Sequence, residues 1–192
     1  GDHRDLHSFP TRRSSDLTGK NLVHSNFLHS LLLDHSGNVW VGSEFAGVTL
    51  LSVLSEGSYR IYPEHESIND YVNAIRTVVK MPDGGFWFGT RQGNVYAYDK
   101  NLEAASCYKM PYNYIYAASC DGDGKLWLGT RTMGLCIDGR WYHKMAGDTL
   151  SLAHENIFDI YRDDKNRMWI GTFGGGLNLA VSRKDRYVFR KF

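Results

Sequence analysis

The 192-residue chain has little of what usually announces a function. No stretch places apolar residues every three to four positions over the length of a helix, so helices are not expected and the fold class reads as all-β. No run of 18 apolar residues suggests a membrane span, so no membrane contact by this segment is expected. Its 22 basic and 21 acidic residues leave a net charge of +1. That balance is too neutral for electrostatic binding of nucleic acid as the main task. Three cysteines, Cys107, Cys120 and Cys136, form no Cys-x-x-Cys pair and leave one over in any disulfide scheme. They read as small residues packed into separate strands. His-Glu-x-x-His, Gly-x-Ser-x-Gly and paired-carboxylate patterns are also missing. Asp121-Gly-Asp-Gly124 opens like a calcium loop, but the twelfth position is Thr132 where a bidentate Glu is needed. Gly174-Gly-Gly176 precedes no helix and is no phosphate cradle. No catalytic residue, metal ligand or cofactor is therefore expected.

What the chain has instead is one line written four times: Gly37-Asn-Val-Trp40-Val-Gly-Ser43, Gly84-Gly-Phe-Trp87-Phe-Gly-Thr90, Gly124-Lys-Leu-Trp127-Leu-Gly-Thr130 and Asn166-Arg-Met-Trp169-Ile-Gly-Thr172. The Trp-to-Trp steps are 47, 40 and 42 residues. A period in the forties with one aromatic-centred strand per unit is the signature of β-propeller blades. Flanking columns agree. Fourteen residues before each Trp stand Asn26, Asn73, Asn113 and Glu155, and twelve before stand Leu28, Ile75, Ile115 and Ile157. Six before come Asp34, Met81, Asp121 and Asp163, and eight after come Val48, Val95, Leu135 and Leu177. Each unit parses into four short strands, A to D. Strand B carries the Trp and is apolar on consecutive residues, so both of its faces should be covered and the Trp residues should be buried core. The glycine two residues on, having no side chain, should let the backbone pass closely. Asp in the sixth column before Trp should serve the A–B hairpin turn.

This pattern resembles the two-component regulator propeller repeat, whose motif reads roughly Asn-x-Val-x-x-Ile-x-x-Asp-x-x-Gly-x-Leu-Trp-Ile-Gly-Thr-x-x-Gly-Gly-Leu. The fourth copy lies nearest to it, with Asn156-Ile-Phe-Asp-Ile-Tyr-Arg-Asp163 leading into Met168-Trp-Ile-Gly-Thr-Phe-Gly-Gly-Gly-Leu177. The resemblance covers about residues 22–192. Unit two departs most, with Met81 in the Asp column and Asn94 where Gly is usual, so its turns must be held differently. The resemblance implies blades at about 22–65, 66–110, 111–148 and 149–192, forming an open arc of a larger, seven-bladed ring. It implies a periplasmic, extracytoplasmic sensor of a hybrid two-component system that recognises an oligosaccharide and signals to a downstream histidine kinase. The expected partners are the remaining blades and the signalling domains of a dimeric parent. A protein-docking scaffold, and a propeller lyase or hydrolase, are the alternatives. An arc with uncovered end blades should expose apolar surface, hold Leu22 and Phe192 far apart and self-associate.

Residues 1–17 belong to something else. Gly-Asp-His-Arg-Asp-Leu-His-Ser-Phe-Pro-Thr-Arg-Arg-Ser-Ser-Asp-Leu is one reading frame of a common short-read sequencing adapter, codon for codon. The segment is expected to be an untrimmed scar without contacts to the blades, leaving 18–192 as propeller and the true N-terminus missing. Dropping its three Arg and three Asp leaves the net charge at +1.

Because strands A and B run antiparallel, the D–A and B–C connections share one end of every blade. Glu44, Arg91, Arg131 and Phe173, four residues after each Trp, should stand there beside the start of strand A. The candidate ligand-binding residues are Arg91, Arg131, Phe45 and Phe173, with Tyr71 and Tyr112 in adjoining D–A connections. Arginine offers a planar fork of donors for carboxylate or sulfate, and aromatic faces suit sugar rings. Asn26, Asn73, Asn113 and Glu155 are expected to cap local turns.

Overall fold

The computed structural model describes residues 13–14, 23, 25–52, 57–64, 71–110 and 114–192. Each repeat folds into an antiparallel meander of four strands. Blade one comprises β2 (Leu28–Leu33), β3 (Val39–Ser43), β4 (Val48–Ser52) and β5 (Gly57–Ile61). Blade two comprises β6 (Ile75–Lys80), β7 (Phe86–Thr90), β8 (Asn94–Tyr98) and β9 (Ala104–Lys109). Blade three comprises β10 (Ile115–Cys120), β11 (Leu126–Thr130), β12 (Leu135–Ile137) and β13 (Arg140–Tyr142). Blade four comprises β14 (Ile157–Arg162), β15 (Met168–Thr172), β16 (Gly176–Arg183) and β17 (Arg186–Lys191).

A two-residue strand, β1 (Arg13–Ser14), joins the outer edge of β5, pairing Arg13 with Tyr59 and Ser14 with Ser58. The expectation that 1–17 touches no blade is corrected by this ladder. The outermost strand of a blade is an open edge, and its N–H and C=O groups can pair with any extended segment. The rest of 1–17, and Leu22, lie outside the described residues.

The local chemistry of the hairpins explains most of the repeat. In blades one, three and four the column aspartate does two jobs. One carboxylate oxygen of Asp34 accepts the N–H groups of Ser36 and Asn38 at 2.9 and 3.0 Å, closing the A–B turn. Its other oxygen accepts the indole N–H of Trp40 at 3.0 Å. Asp121 and Asp163 repeat both roles, with Trp127 and Trp169 each donating at 3.0 Å. The turn needs a left-handed residue, and Gly37, Gly84, Gly124 and Asn166 supply it with φ of 78, 90, 80 and 58°. Blade two lacks the column aspartate. There Asp83 caps the turn through Gly85 N–H at 2.9 Å, and Trp87 instead stacks on Tyr108 at 5.5 Å. In its B–C turn the left-handed residue moves one place back, to Gly93.

The core lies between the blades. One apolar cluster joins Trp40, Val48 and Leu50 of blade one to Ile75, Phe86 and Phe88 of blade two. A second joins Val95 to Ile115, Leu126 and Leu128, and a third joins Trp127, Leu135 and Ile137 to Ile157, Met168 and Ile170. At each joint the strand-B glycine is the socket. A Cβ on Gly42 would meet Ile75 at 2.9 Å, one on Gly89 would meet Ile115 at 3.1 Å, and one on Gly129 would meet Ile157 at 2.5 Å. Gly171 meets nothing nearer than Asp159 of its own blade, at 3.7 Å.

The arc is therefore open. Leu177 is 41% exposed, whereas its counterparts Val48, Val95 and Leu135 are 0, 1 and 0% exposed. At the other end Leu28 is 46% exposed, whereas Ile75, Ile115 and Ile157 are fully buried. Trp40 and Trp127 are buried as expected, but Trp87 and Trp169 are half-buried. For Trp169 the cause is the unoccupied side of blade four, where it packs on Phe192 at 5.6 Å. Trp87, without an aspartate to hold it, lies against the outer strand of its own blade.

Two outcomes follow from these environments. Trp127→Ala should lower unfolding stability by about 3–5 kcal/mol, and Trp169→Ala by distinctly less, in denaturant melts; equal losses would contradict the burial difference. Burial opposes the charge on Asp34 and Asp163, yet the hydrogen bonds from Trp40 and Trp169 and the turn N–H groups outweigh it and hold both carboxyls below the ordinary range. Stability from a carboxyl lowered on folding is complete above its unfolded pKa of about 3.9 and is lost as pH falls further. Acid melts followed by tryptophan emission should show that loss, and Asp34→Asn should reduce its slope; an unchanged slope would contradict the assignment.

Candidate functional site

Every inner strand carries the same irregularity. The register between strands A and B skips one residue at Leu28/Ser30, Ile75/Thr77, Ile115/Ala117 and Ile157/Asp159. The residues left out of the ladder are His29, Arg76, Tyr116 and Phe158. A β-bulge leaves one residue unpaired and re-aims its side chain, and bulges concentrate beside binding and active sites. Here the four bulges share one surface: all four residues line a groove of about 1120 Å³ walled by the inner strands of the whole arc.

These residues touch in series. Arg76 Nη1 lies 3.0 Å from His29 Nδ1, and the Arg76 guanidinium sits 5.8 Å from the Tyr116 ring centre. Tyr116 meets Phe158 edge-on at 5.2 Å. One end of the groove is thus polar and cationic and the other aromatic.

A second ring stands at the loop end of the blades. The N–H groups of Glu44, Arg91, Arg131 and Phe173 donate to the carbonyls of Phe27, Ala74, Tyr114 and Asn156 at 3.0, 2.8, 3.1 and 3.0 Å. These bonds place the column at the start of strand A in all four blades. Arg91 reaches back to blade one and donates to Glu44 at 2.5 Å. Arg91 and Arg131 flank the Tyr114 ring at 5.8 and 5.6 Å. Phe173 stacks on Phe158 at 5.5 Å, joining the two rings at the aromatic end. At the polar end they are joined through Glu44, which also bonds His29 and lies 3.2 Å from Arg76 Nη2. Burial works against the Glu44 charge, yet the hydrogen bond from His29, the Arg76 charge and the bond from Arg91 outweigh it and hold the carboxyl below the usual range. One buried carboxylate thus holds two arginines and a histidine in one preset cluster.

Of the candidates chosen from sequence, Arg91 is engaged by Glu44 and Tyr114, Arg131 lies exposed on Tyr114, and Phe173 is exposed at the groove's aromatic end. Phe45 is half-buried. Tyr71 opens a 3-10 turn, Tyr71–Asn73. Tyr112 and Asn113 lie outside the described residues. His29, Arg76, Tyr116 and Phe158 were missed, although they form the one chemically varied column directly after the aliphatic one. The turn-capping column also acts differently from expectation. The Asn73 side chain clamps the backbone N–H and C=O of Glu64 at 2.9 Å each, and Glu155 accepts from Lys144 N–H at 2.9 Å. Each pins the exit of the preceding blade, because a side chain at the start of strand A faces that connection. Among the described residues no three His, Cys, Asp or Glu side chains are grouped to hold a metal ion. No helix among them is long and apolar enough to cross a membrane.

Comparison with known proteins agrees with this architecture. Residues 21–45, 109–132 and 151–174 match the family described as two component regulator propeller. Histidine kinase P4 of Formosa agariphila is 25% identical over 175 residues, covering 84% of this chain and 13% of that protein. The chain thus spans about an eighth of the relative's length. The extracellular domain of a hybrid two component system from B. thetaiotaomicron superposes with a TM-score of 0.66 at 23% identity, over 87% of this chain and 23% of that one. Virginiamycin B lyase from Staphylococcus aureus superposes with a TM-score of 0.67 at 11% identity, over 95% of this chain and 59% of the lyase, a likeness of fold alone. The matching stretches fall on the A–B hairpins of blades one, three and four, so three of the four blades resemble the two component regulator propeller repeat.

Proposed function

We propose that this chain is the ligand-reading propeller portion of an extracytoplasmic two-component sensor, binding a saccharide in the groove of the inner strands and relaying occupancy to a downstream histidine kinase. The observation that carries the reading is the bulge ring: four equivalent positions bearing His, Arg, Tyr and Phe, all turned into one groove. A structural role alone would favour the same residue in each blade. Four different chemistries at one register position are what selective recognition needs, because the scaffold is held fixed while the contacts vary.

The groove's two ends suit the two sides of a sugar. Phe158, Tyr116 and Phe173 offer faces for the apolar side of a pyranose ring. Arg76, held by Glu44 and His29, offers its remaining guanidinium N–H groups to hydroxyl or carboxylate oxygens. Kinship with sensor propellers supports the signalling half of the reading, and the small share of the kinase relative covered by this chain makes the relay a property of the parent protein.

Calorimetric titration of the full chain with panels of neutral and acidic oligosaccharides should find a binder. Arg76→Ala and Phe158→Ala should each weaken that binding about tenfold or more, while Lys191→Ala on the outer strand of blade four should leave it unchanged. Absence of any saccharide binding, or binding indifferent to both groove variants, would overturn the reading.

A further inference from the structure

Away from the groove, the outer strands of blades three and four enclose a second cleft of about 580 Å³, lined by Arg140, Arg183, Lys184, Asp185 and Arg186. Four cations stand against one carboxylate, a surplus of three positive charges. Among the described residues none of the four cations is ion-paired. Both walls are tied across the joint between the two blades. Arg140 Nη1 donates to the backbone carbonyl of Asp185. At the base of the β16–β17 hairpin the Tyr187 ring lies edge-on to Trp127 at 4.8 Å, and Tyr187 N–H donates to the Tyr142 hydroxyl at 3.3 Å.

Packing does not explain this hairpin. Strand β16 runs for eight residues, where β4 and β8 have five and β12 has three. The added length buries nothing, since residues 181–186 are all exposed. Turn geometry does not explain its tip either. Lys184 sits at φ 48°, in the left-handed region where glycine is most at ease. Cations on an outer strand can blunt an edge against pairing. Such charges would be spread along the strand, whereas these converge with Arg140 from the neighbouring blade.

We propose that this cleft binds a phosphate monoester. A carboxylate brings one charge and two coplanar oxygens, too little for cations that approach from two walls. A phosphate monoester brings about −1.5 to −2 charges at pH 7 and three acceptor oxygens, and guanidinium forks match such oxygens in pairs. The ester is a soluble one. Binding at a lipid surface needs apolar side chains beside the basic ones, and residues 182–186 of the hairpin tip include none.

Calorimetric titration of the full chain with glycerol phosphate at fixed ionic strength should show saturable binding in about the millimolar range or tighter, with acetate giving none. Arg183→Ala and Arg186→Ala together should weaken it about tenfold or more, with circular dichroism unchanged. Lys184→Gly, which removes a charge and suits the left-handed turn, should weaken it too. Lys109→Ala on the outer strand of blade two should leave it as it was. No saturable binding of glycerol phosphate, equal binding of acetate, or binding indifferent to the hairpin variants would overturn the proposal. Retention on phosphatidylglycerol vesicles without binding of glycerol phosphate would overturn it as well, in favour of a membrane surface.

Discussion

The structure depends on one contact repeated at each joint: a strand-B glycine with the first aliphatic residue of the next blade lying against it. Ile157 alone leaves no room for a Cβ on Gly129, and Gly42 and Gly89 are closed by Ile75 and Ile115 of the next blade together with the nearer Ser30 and Thr77 of their own. Sheet faces pack about 10 Å apart when side chains interdigitate fully, and removing the side chain from one partner lets the inner strands approach at the narrow side of the wedge. The larger residues of strands B and C then fill the space further from the axis. The absence of a side chain sets the geometry, and the aromatic and aliphatic residues supply the apolar burial.

Because stability lies between blades, each blade depends on its neighbours, as in other repeat proteins. Within a blade the hydrogen bonds are mostly local: aspartate to turn N–H groups, aspartate to indole, and the hydroxyls of Ser43, Thr90, Thr130 and Thr172 donating to carbonyls at 2.9 to 3.2 Å across the B–C turn. Those bonds fix the shape of each sheet. Packing against the next sheet makes the shape persist. The same division explains the binding groove, whose walls are rigid inner strands while its chemistry comes from a column that neither the turns nor the joints constrain.

The fold was legible in the sequence because each demand has its own residue type. The left-handed turn position requires Gly or Asn, the joint requires Gly, and the indole acceptor is Asp in three of four blades. The departure of blade two at Met81 and Asn94 was legible as a change in its turns, though the replacement by Asp83 and Gly93 was not. The site was less legible. The bulge at His29, Arg76, Tyr116 and Phe158 arises where the ladder must skip a residue to start each inner strand. Nothing in the alternation of apolar residues marks a skipped register. Reading from the loop end correctly placed Glu44, Arg91, Arg131 and Phe173 beside the start of strand A. It did not show that Arg91 is bound to Glu44 across a joint, since that pair lies 47 residues apart. Contacts between blades are set by the period, and a single sequence shows the period without the side-chain directions.

The joint can be weighed directly by placing the same methyl group in a covered socket and in an open one. Gly129→Ala and Gly171→Ala sit in one column of two blades, with Ile157 against the first and nothing nearer than Asp159 against the second. Measured by denaturant unfolding in dilute solution, Gly129→Ala should cost about 1–3 kcal/mol, and Gly171→Ala should fall within about 0.5 kcal/mol of the unaltered chain or gain slightly through its stiffer unfolded state. Equal losses at the two positions would contradict the account, because they would mean that the glycine serves its own strand and not the blade that follows.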